Sequence, residues 1–155
     1  MERREALKLA IQAEISSQNL YKALAKSFMN PETSTLFKNL VPMEKMHEEK
    51  LRAIFKKEFP GEEPDVDPDK IQDIRQVKIR EAKAVLEYAI SREEIAHASY
   101  LLLAEHSQEE SLKKLLIHFA EEELNHKTFL LNEIQRLQGV VQWYDPSELN
   151  GFMED

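Results

Sequence analysis

The chain has 155 residues, a net charge of −8 from 29 acids against 21 lysines and arginines, and no cysteine. A chain of about this length buries roughly 70% of its unfolded surface, and a single domain over residues 1–155 is expected. The acidic balance argues against a nucleic-acid backbone or an anionic membrane as partner, since both need a basic face. The missing thiols exclude disulfides, Fe–S clusters and Cys nucleophiles, so any metal has to be held by nitrogen and oxygen. No apolar run approaches the ~18 residues of a membrane span, and the opening MERREALKLAIQAEIS is charged and amphipathic without an apolar signal core. A soluble, cytoplasmic protein is the expectation.

Helix formers dominate, and the glycines and prolines fall mostly outside the periodic stretches, so the chain reads as all-α. The first helix runs from about Glu2 to Met29, with Leu7, Ala10, Ile11, Glu14, Tyr21, Leu24 and Ala25 on one face at helical spacing. Asn30 is a suitable N-cap and Pro31 a suitable first residue, so a second helix starts there and reaches about Phe59, before Pro60-Gly61. Pro42 lies inside it and removes one backbone hydrogen bond, which predicts a kink just before Glu44. Residues 60–79, rich in proline and acids, form a connection with one turn after Asp67-Pro68. The third helix spans about Arg80 to His106. Ser107 and Glu110 fit a capping box that starts the fourth, which ends near Gln138 with Gly139 as its stop. The tail, 139–155, has room for one short turn at Asp145-Pro146.

Two hairpins, 2–59 and 80–138, repeat each other. Glu14, Tyr21, Glu44 and His47 recur as Glu93, Tyr100, Glu123 and His126, each 79 residues later, and the apolar frame keeps the same register. Glu14 lies 15 residues before Met29 and Glu44 13 after Pro31, so in an antiparallel hairpin they meet at one height. Glu93 and Glu123 stand in the same relation about Ser107. The connection of twenty residues reaches up to ~65 Å when extended, whereas the second helix is about 43 Å long. A crossover along the bundle is therefore feasible, giving an up-down-down-up four-helix bundle with a pseudo-twofold axis. The same linker is long enough to deliver the second hairpin to a neighbouring chain, and a homodimer, swapped or unswapped, is the expected assembly.

Residues three apart on a helix are neighbours, so Glu44 with His47, and Glu123 with His126, each present an oxygen and a nitrogen to one cation. With Glu14 and Glu93 the set comprises four carboxylates and two imidazoles, enough for two metals and charge-balanced by two divalent ions. Without a cation, four converging carboxylates repel one another and suffer desolvation. A single Glu-x-x-His in so acidic a helical protein would read as a solvated surface pair; the matched offset and heights favour a buried site. Tyr21 and Tyr100, nearly two turns beyond their glutamates on the same face, are placed to reach back to the cluster as outer partners of the ligands. Two residues stay open as further metal contacts: His97, whose counterpart in the repeat is Gln18, and Glu122, although the repeat selects Glu123.

The order Glu, Glu-x-x-His, Glu, Glu-x-x-His on four helices resembles the ferritin-like di-iron carboxylate superfamily. Ala-Ile-x-x-Glu-x6-Tyr, at Ala10 to Tyr21 and again at Ala89 to Tyr100, is most similar to its rubrerythrin branch, over about residues 5 to 138. The resemblance implies a ferritin-like fold, two Fe ions on the six ligands, tyrosines hydrogen-bonded to ligand carboxylates, and reduction of hydrogen peroxide or dioxygen. Carboxylate plus imidazole also suits Mn or Zn. Rubrerythrins carry another glutamate three residues after the third-helix ligand, where this chain has Ala96, and usually a cysteine-bearing rubredoxin-like domain. The electron donor expected here is thus a separate protein such as a rubredoxin. Alternative uses of the same site are a di-iron oxygenase with an organic substrate, which needs an apolar channel, ferritin-like iron oxidation and sequestration, and a helical interaction module with a structural metal.

Overall fold

The computed structural model describes residues 2–71 and 82–143, with side chains to 139. Four helices follow in order: α1 (Arg3–Ser27), α2 (Pro31–Glu58), α3 (Ala82–Glu105) and α4 (Glu110–Trp143). The expected start of α3 at Arg80 and the turn at Asp145-Pro146 lie outside the described residues.

Local chemistry accounts for most boundaries. Asn30 accepts from the backbone N–H groups of Glu32 and Thr33, satisfying two of the donors that a helix start leaves free, and Pro31 supplies the fixed φ of the first position. After Phe59 the chain turns through Gly61 at φ 84°, a left-handed conformation that favours glycine. Pro42 sits within α2 without ending it. Two expectations fail around α4. Ser107 turns its hydroxyl back onto the Leu103 carbonyl of α3 at 2.7 Å, so no capping box forms and α4 begins only at Glu110. Gly139 does not stop the helix either: it is not left-handed, as a C-terminal glycine stop requires, and α4 passes through it to Trp143.

Cross-helix pairs fix the directions. Arg3 grips Glu58, and Gln18 donates to Glu48, between antiparallel α1 and α2; Lys127 reaches Glu94, and the Ala120 carbonyl meets His97, between antiparallel α4 and α3. Tyr21 meets Glu93 while Tyr100 meets Glu14, so α1 and α3 are antiparallel as well. Thr33 donates to Glu133 and His47 meets Glu122, which sets α2 against α4 in the same sense. The bundle is therefore up-down-down-up, as expected. The described part of the connection, up to residue 71, climbs the outside of α1: Arg4 holds Glu62, the Gln12 amide exchanges two hydrogen bonds with the Asp67 backbone, and Asn19 donates to the carbonyls of Pro68 and Lys70. Residues 68 and 69 form the expected turn, with the Asp69 N–H on the Asp67 carboxylate. No helix among the described residues is long and apolar enough to cross a membrane.

The interior divides into two apolar cores. One is built on Leu20, Leu24, Phe37, Leu40, Leu86 and Leu130, the other on Leu7, Ile11, Leu51, Phe55, Leu116 and Phe119. The 79-residue offset interchanges them: Leu24 becomes Leu103, Phe37 becomes Leu116, and Leu7 becomes Leu86. Between them lies a layer of buried polar groups. Phe37 is fully buried, stacked on Phe28 and packed against the tilted ring of Tyr21. Phe37→Ala is expected to destabilise the fold by about 3–5 kcal/mol in chemical denaturation; a loss under about 1 kcal/mol would show that this core tolerates a large cavity.

Candidate metal centre

All six residues singled out by the repeat meet in the layer between the cores, and all are buried: Glu14, Glu44, His47, Glu93, Glu123 and His126. Their ligand atoms form two overlapping groups, Glu14–Glu44–His47–Glu123 and Glu44–Glu93–Glu123–His126, in each of which every atom lies within 4.8 Å of the others. Glu44 and Glu123 belong to both. Each of the remaining pairs, Glu14 with His47 and Glu93 with His126, serves one.

Both histidines turn Nδ1 inward. His47 Nδ1 lies 2.8 Å from Glu123 Oε1, 3.2 Å from Glu14 Oε2 and 3.7 Å from Glu44 Oε1. His126 Nδ1 lies 3.2 Å from Glu44 Oε1, 3.3 Å from Glu93 Oε2 and 3.8 Å from Glu123 Oε1. One ring nitrogen has a single proton or a single lone pair and cannot satisfy three oxygens. Ligands about 2.1 Å from a common ion, at right angles, stand about 3.0 Å apart, which is the spacing found. The aligned bond of His47 Nδ1 goes to Glu14 and that of His126 Nδ1 to Glu93, so Glu44 Oε1 and both oxygens of Glu123 are buried without a well-aligned hydrogen bond of their own; left so, each would cost about 1–3 kcal/mol. The residues present thus fit two divalent cations, with Glu44 and Glu123 placed to touch both.

The tyrosines cross between hairpins. The Tyr21 hydroxyl donates to Glu93 at 2.6 Å, and that of Tyr100 to Glu14. Each therefore holds the single-site carboxylate of the other half rather than its own. Burial, followed by the charges of Glu93 and Glu14 respectively, pushes both phenols well above their ordinary range, so both keep their protons as donors.

The two open residues also find their places. Glu122 stands behind His47, accepting at 3.1 Å from its outward Nε2. A proton held on Nε2 by that contact would free the Nδ1 lone pair for a cation in the cluster. The offset places Met43 opposite Glu122, so the outer carboxylate belongs to one half only. His97 turns Nδ1 to the Ala120 carbonyl at 2.9 Å and fastens α3 to α4; its counterpart Gln18 likewise fastens α1 to α2 through Glu48. The sequence did not foresee the groove between α1 and α3, lined by Glu14, Ser17, Ala96 and Tyr100 among others, which leads from the surface to the Glu14 edge of the cluster.

Charge in the layer is unevenly held. Burial, then repulsion from Glu14, raises Glu44 well above the carboxylate range; burial, then repulsion from Glu44, does the same to Glu123. At Glu93 burial acts the same way, but bonds from His126 and Tyr21 outweigh it and its acidity is increased. His47 is raised, because the bond and charge of Glu14 outweigh burial, and His126 is pushed up to about 10 by Glu44 and Glu93 against burial.

Comparison with known proteins agrees with this arrangement. The family model described as Rubrerythrin matches the chain twice, over residues 5–83 and 84–151. Among solved structures, a hypothetical protein from Pyrococcus furiosus is 29% identical, with a TM-score of 0.78 over 90% of this chain and 92% of that one. No match was found among curated proteins.

Glu44, Glu123 and His126 bind protons more readily folded than unfolded, so the metal-free fold loses stability as pH rises, from the unfolded carboxylate pKa near ~4.3 through the value of about 10 at His126. A bound cation takes the place of those protons and binds more tightly as pH rises. Thermal unfolding of metal-free protein is expected at a higher Tm near pH 5 than near pH 8, and metal should raise the Tm more at the higher pH. A metal-free Tm that climbs with pH would contradict this charge distribution.

Proposed function

Given that this chain belongs to the rubrerythrin family, we propose that its carboxylate–imidazole layer holds two iron ions and that the protein is a di-iron oxidoreductase reducing hydrogen peroxide or dioxygen. The observation that carries the proposal is the sharing of Glu44 and Glu123 between two complete ligand groups. Two ferrous ions held this close supply two electrons, enough to take peroxide to water or dioxygen to peroxide. The electrons come back from a separate donor, of which a rubredoxin is the proposed type, since this sequence has no cysteine to hold another redox iron.

The protein's own groups do the positioning. Glu44 and Glu123 neutralise charge in common, while Tyr21 and Tyr100 fix the outer carboxylates and hold protons on their phenol oxygens next to them. Glu122 orients His47. Where rubrerythrins carry the extra glutamate this chain has Ala96, and in the other half Ser17; both line the groove. A small neutral oxidant thus has a path to the Glu14 edge with no further carboxylate across it.

That groove also favours a second reading. It is mostly apolar, which the oxygenase alternative requires and peroxide reduction does not. In that case one atom of dioxygen enters a C–H bond of an organic substrate and the other leaves as water, with two electrons from the donor.

Anaerobic protein loaded with ferrous iron and mixed with hydrogen peroxide is expected to oxidise two irons per peroxide, faster than free ferrous ion does. The rise of ferric absorbance in a stopped-flow experiment follows it. Oxidation no faster than that of free iron would sink the peroxidase reading.

A further inference from the structure

The groove is a cleft of about 490 Å³ between the first part of α1 and the last part of α3, a size that suits one small organic molecule. From Ser17 to Arg3 its lining on α1 extends for about 21 Å at ~1.5 Å per residue. Small side chains, Ala6, Ala10, Ala13 and Ala96, leave the space; Leu103 walls it, and Leu9, Ile95 and Leu102 stand at its exposed rim. Glu14 and Tyr100 form the inner end against the metal layer.

The pseudo-twofold supplies an internal control. On its other side Val85, Tyr88 and Arg92 take the places of Ala6, Leu9 and Ala13, and the cleft's lining includes neither Glu93 nor Tyr21. Only the Glu14 edge is thus reached from this cleft.

Its charges are unexpected in a protein of net charge −8. Two arginines and His106 line it, and the one acid among its lining residues is the ligand Glu14. Arg92 stands at the end level with the metal layer. Its Nε is buried without a hydrogen-bond partner, and no described carboxylate pairs with it. At the far end Arg3 gives Nε and Nη2 to Glu58, while its Nη1 is also buried and unpartnered. Arg92 is half-buried, with its Nε enclosed and no described carboxylate on it, and such an unpaired guanidinium beside apolar walls matches one ligand chemistry, a planar carboxylate.

We infer that this cleft binds an amphiphilic monocarboxylic acid, with its carboxylate on Arg92 and its apolar chain lying along α1 and α3 toward Arg3, so that the carbons nearest the carboxylate rest beside Glu14 and Tyr100. A flat partner surface would cover the rim of Leu9, Ile95 and Leu102 without filling the cleft behind it. Such an acid is the substrate class of the oxygenase reading, on which the inference rests for its purpose but not for its test.

The test is calorimetric titration of the full chain with decanoate and with decan-1-ol, alongside metal content, circular dichroism and sedimentation. Wild type is expected to bind one decanoate, more tightly than the alcohol. Arg92→Gln should weaken decanoate at least about tenfold while leaving the alcohol unchanged. Ala13→Phe, which fills the cleft, should abolish both with helicity and metal content retained. Absence of saturable decanoate binding, equal affinity in Arg92→Gln, or binding that survives Ala13→Phe would overturn the inference. So would a wild-type dimer that takes up no decanoate and falls apart in Ala13→Phe, which would give the cleft to a second copy of the chain. No arm needs turnover, so protein with full metal content and no decanoate binding would refute this inference alone.

Discussion

Everything in this bundle is arranged around the burial of four carboxylates and two imidazoles in one layer. Charges of that number cannot be withdrawn from water for the sake of stability, since the desolvation penalty of each exceeds what imperfect pairing returns. Some of the layer is satisfied within the protein: Tyr21 and Tyr100 cap two carboxylates, and Glu122 holds one imidazole. The three partnerless oxygens of Glu44 and Glu123 are what remains, and they lie where two ligand groups overlap. The protein alone leaves the middle of the layer short of positive charge, and two divalent cations would make up the balance. The apolar cores above and below hold the six side chains at one level by packing the helices on either side.

The internal repeat explains both the economy of the design and its departures. Cores, ligands and tyrosines all exchange under one offset, so a single hairpin plan builds the whole interior. The exceptions fall outside the ligands. Glu122 faces His47 where the other half has Met43, and Ala6 and Ala13, which help to open the cleft beside Glu14, correspond to the larger Val85 and Arg92. An outer carboxylate makes its imidazole a stronger ligand, and open space gives access. One half of the pair thus differs from the other in how it would hold a cation and in how it is approached, although the candidate ligands themselves are matched.

Much of this is legible in the amino-acid sequence. Four helices, their directions and the meeting of all six candidate ligands follow from helical spacing and the repeat, because side chains at matched heights on paired helices have little choice of where to meet. The tyrosines were readable as partners of the cluster, but not as crossing between hairpins, because that depends on how α1 packs against α3. Local signals misled where tertiary contacts prevailed: Ser107 bonds back into α3 instead of capping α4, and Gly139 stays helical because nothing there requires a left-handed turn. His97 and Glu122 had equal standing in sequence; one carbonyl and one ring nitrogen decide between them. The cleft was invisible, being an absence of side chains where two helices separated by the length of the crossover come together.

The most direct measurement is anomalous X-ray scattering from crystals of the protein loaded with ferrous iron. Two peaks about 3.5–4 Å apart are predicted, one beside Glu14 and His47 and the other beside Glu93 and His126, with Glu44 and Glu123 touching both. A single peak, or iron bound elsewhere with the layer closed by protons alone, would contradict the account.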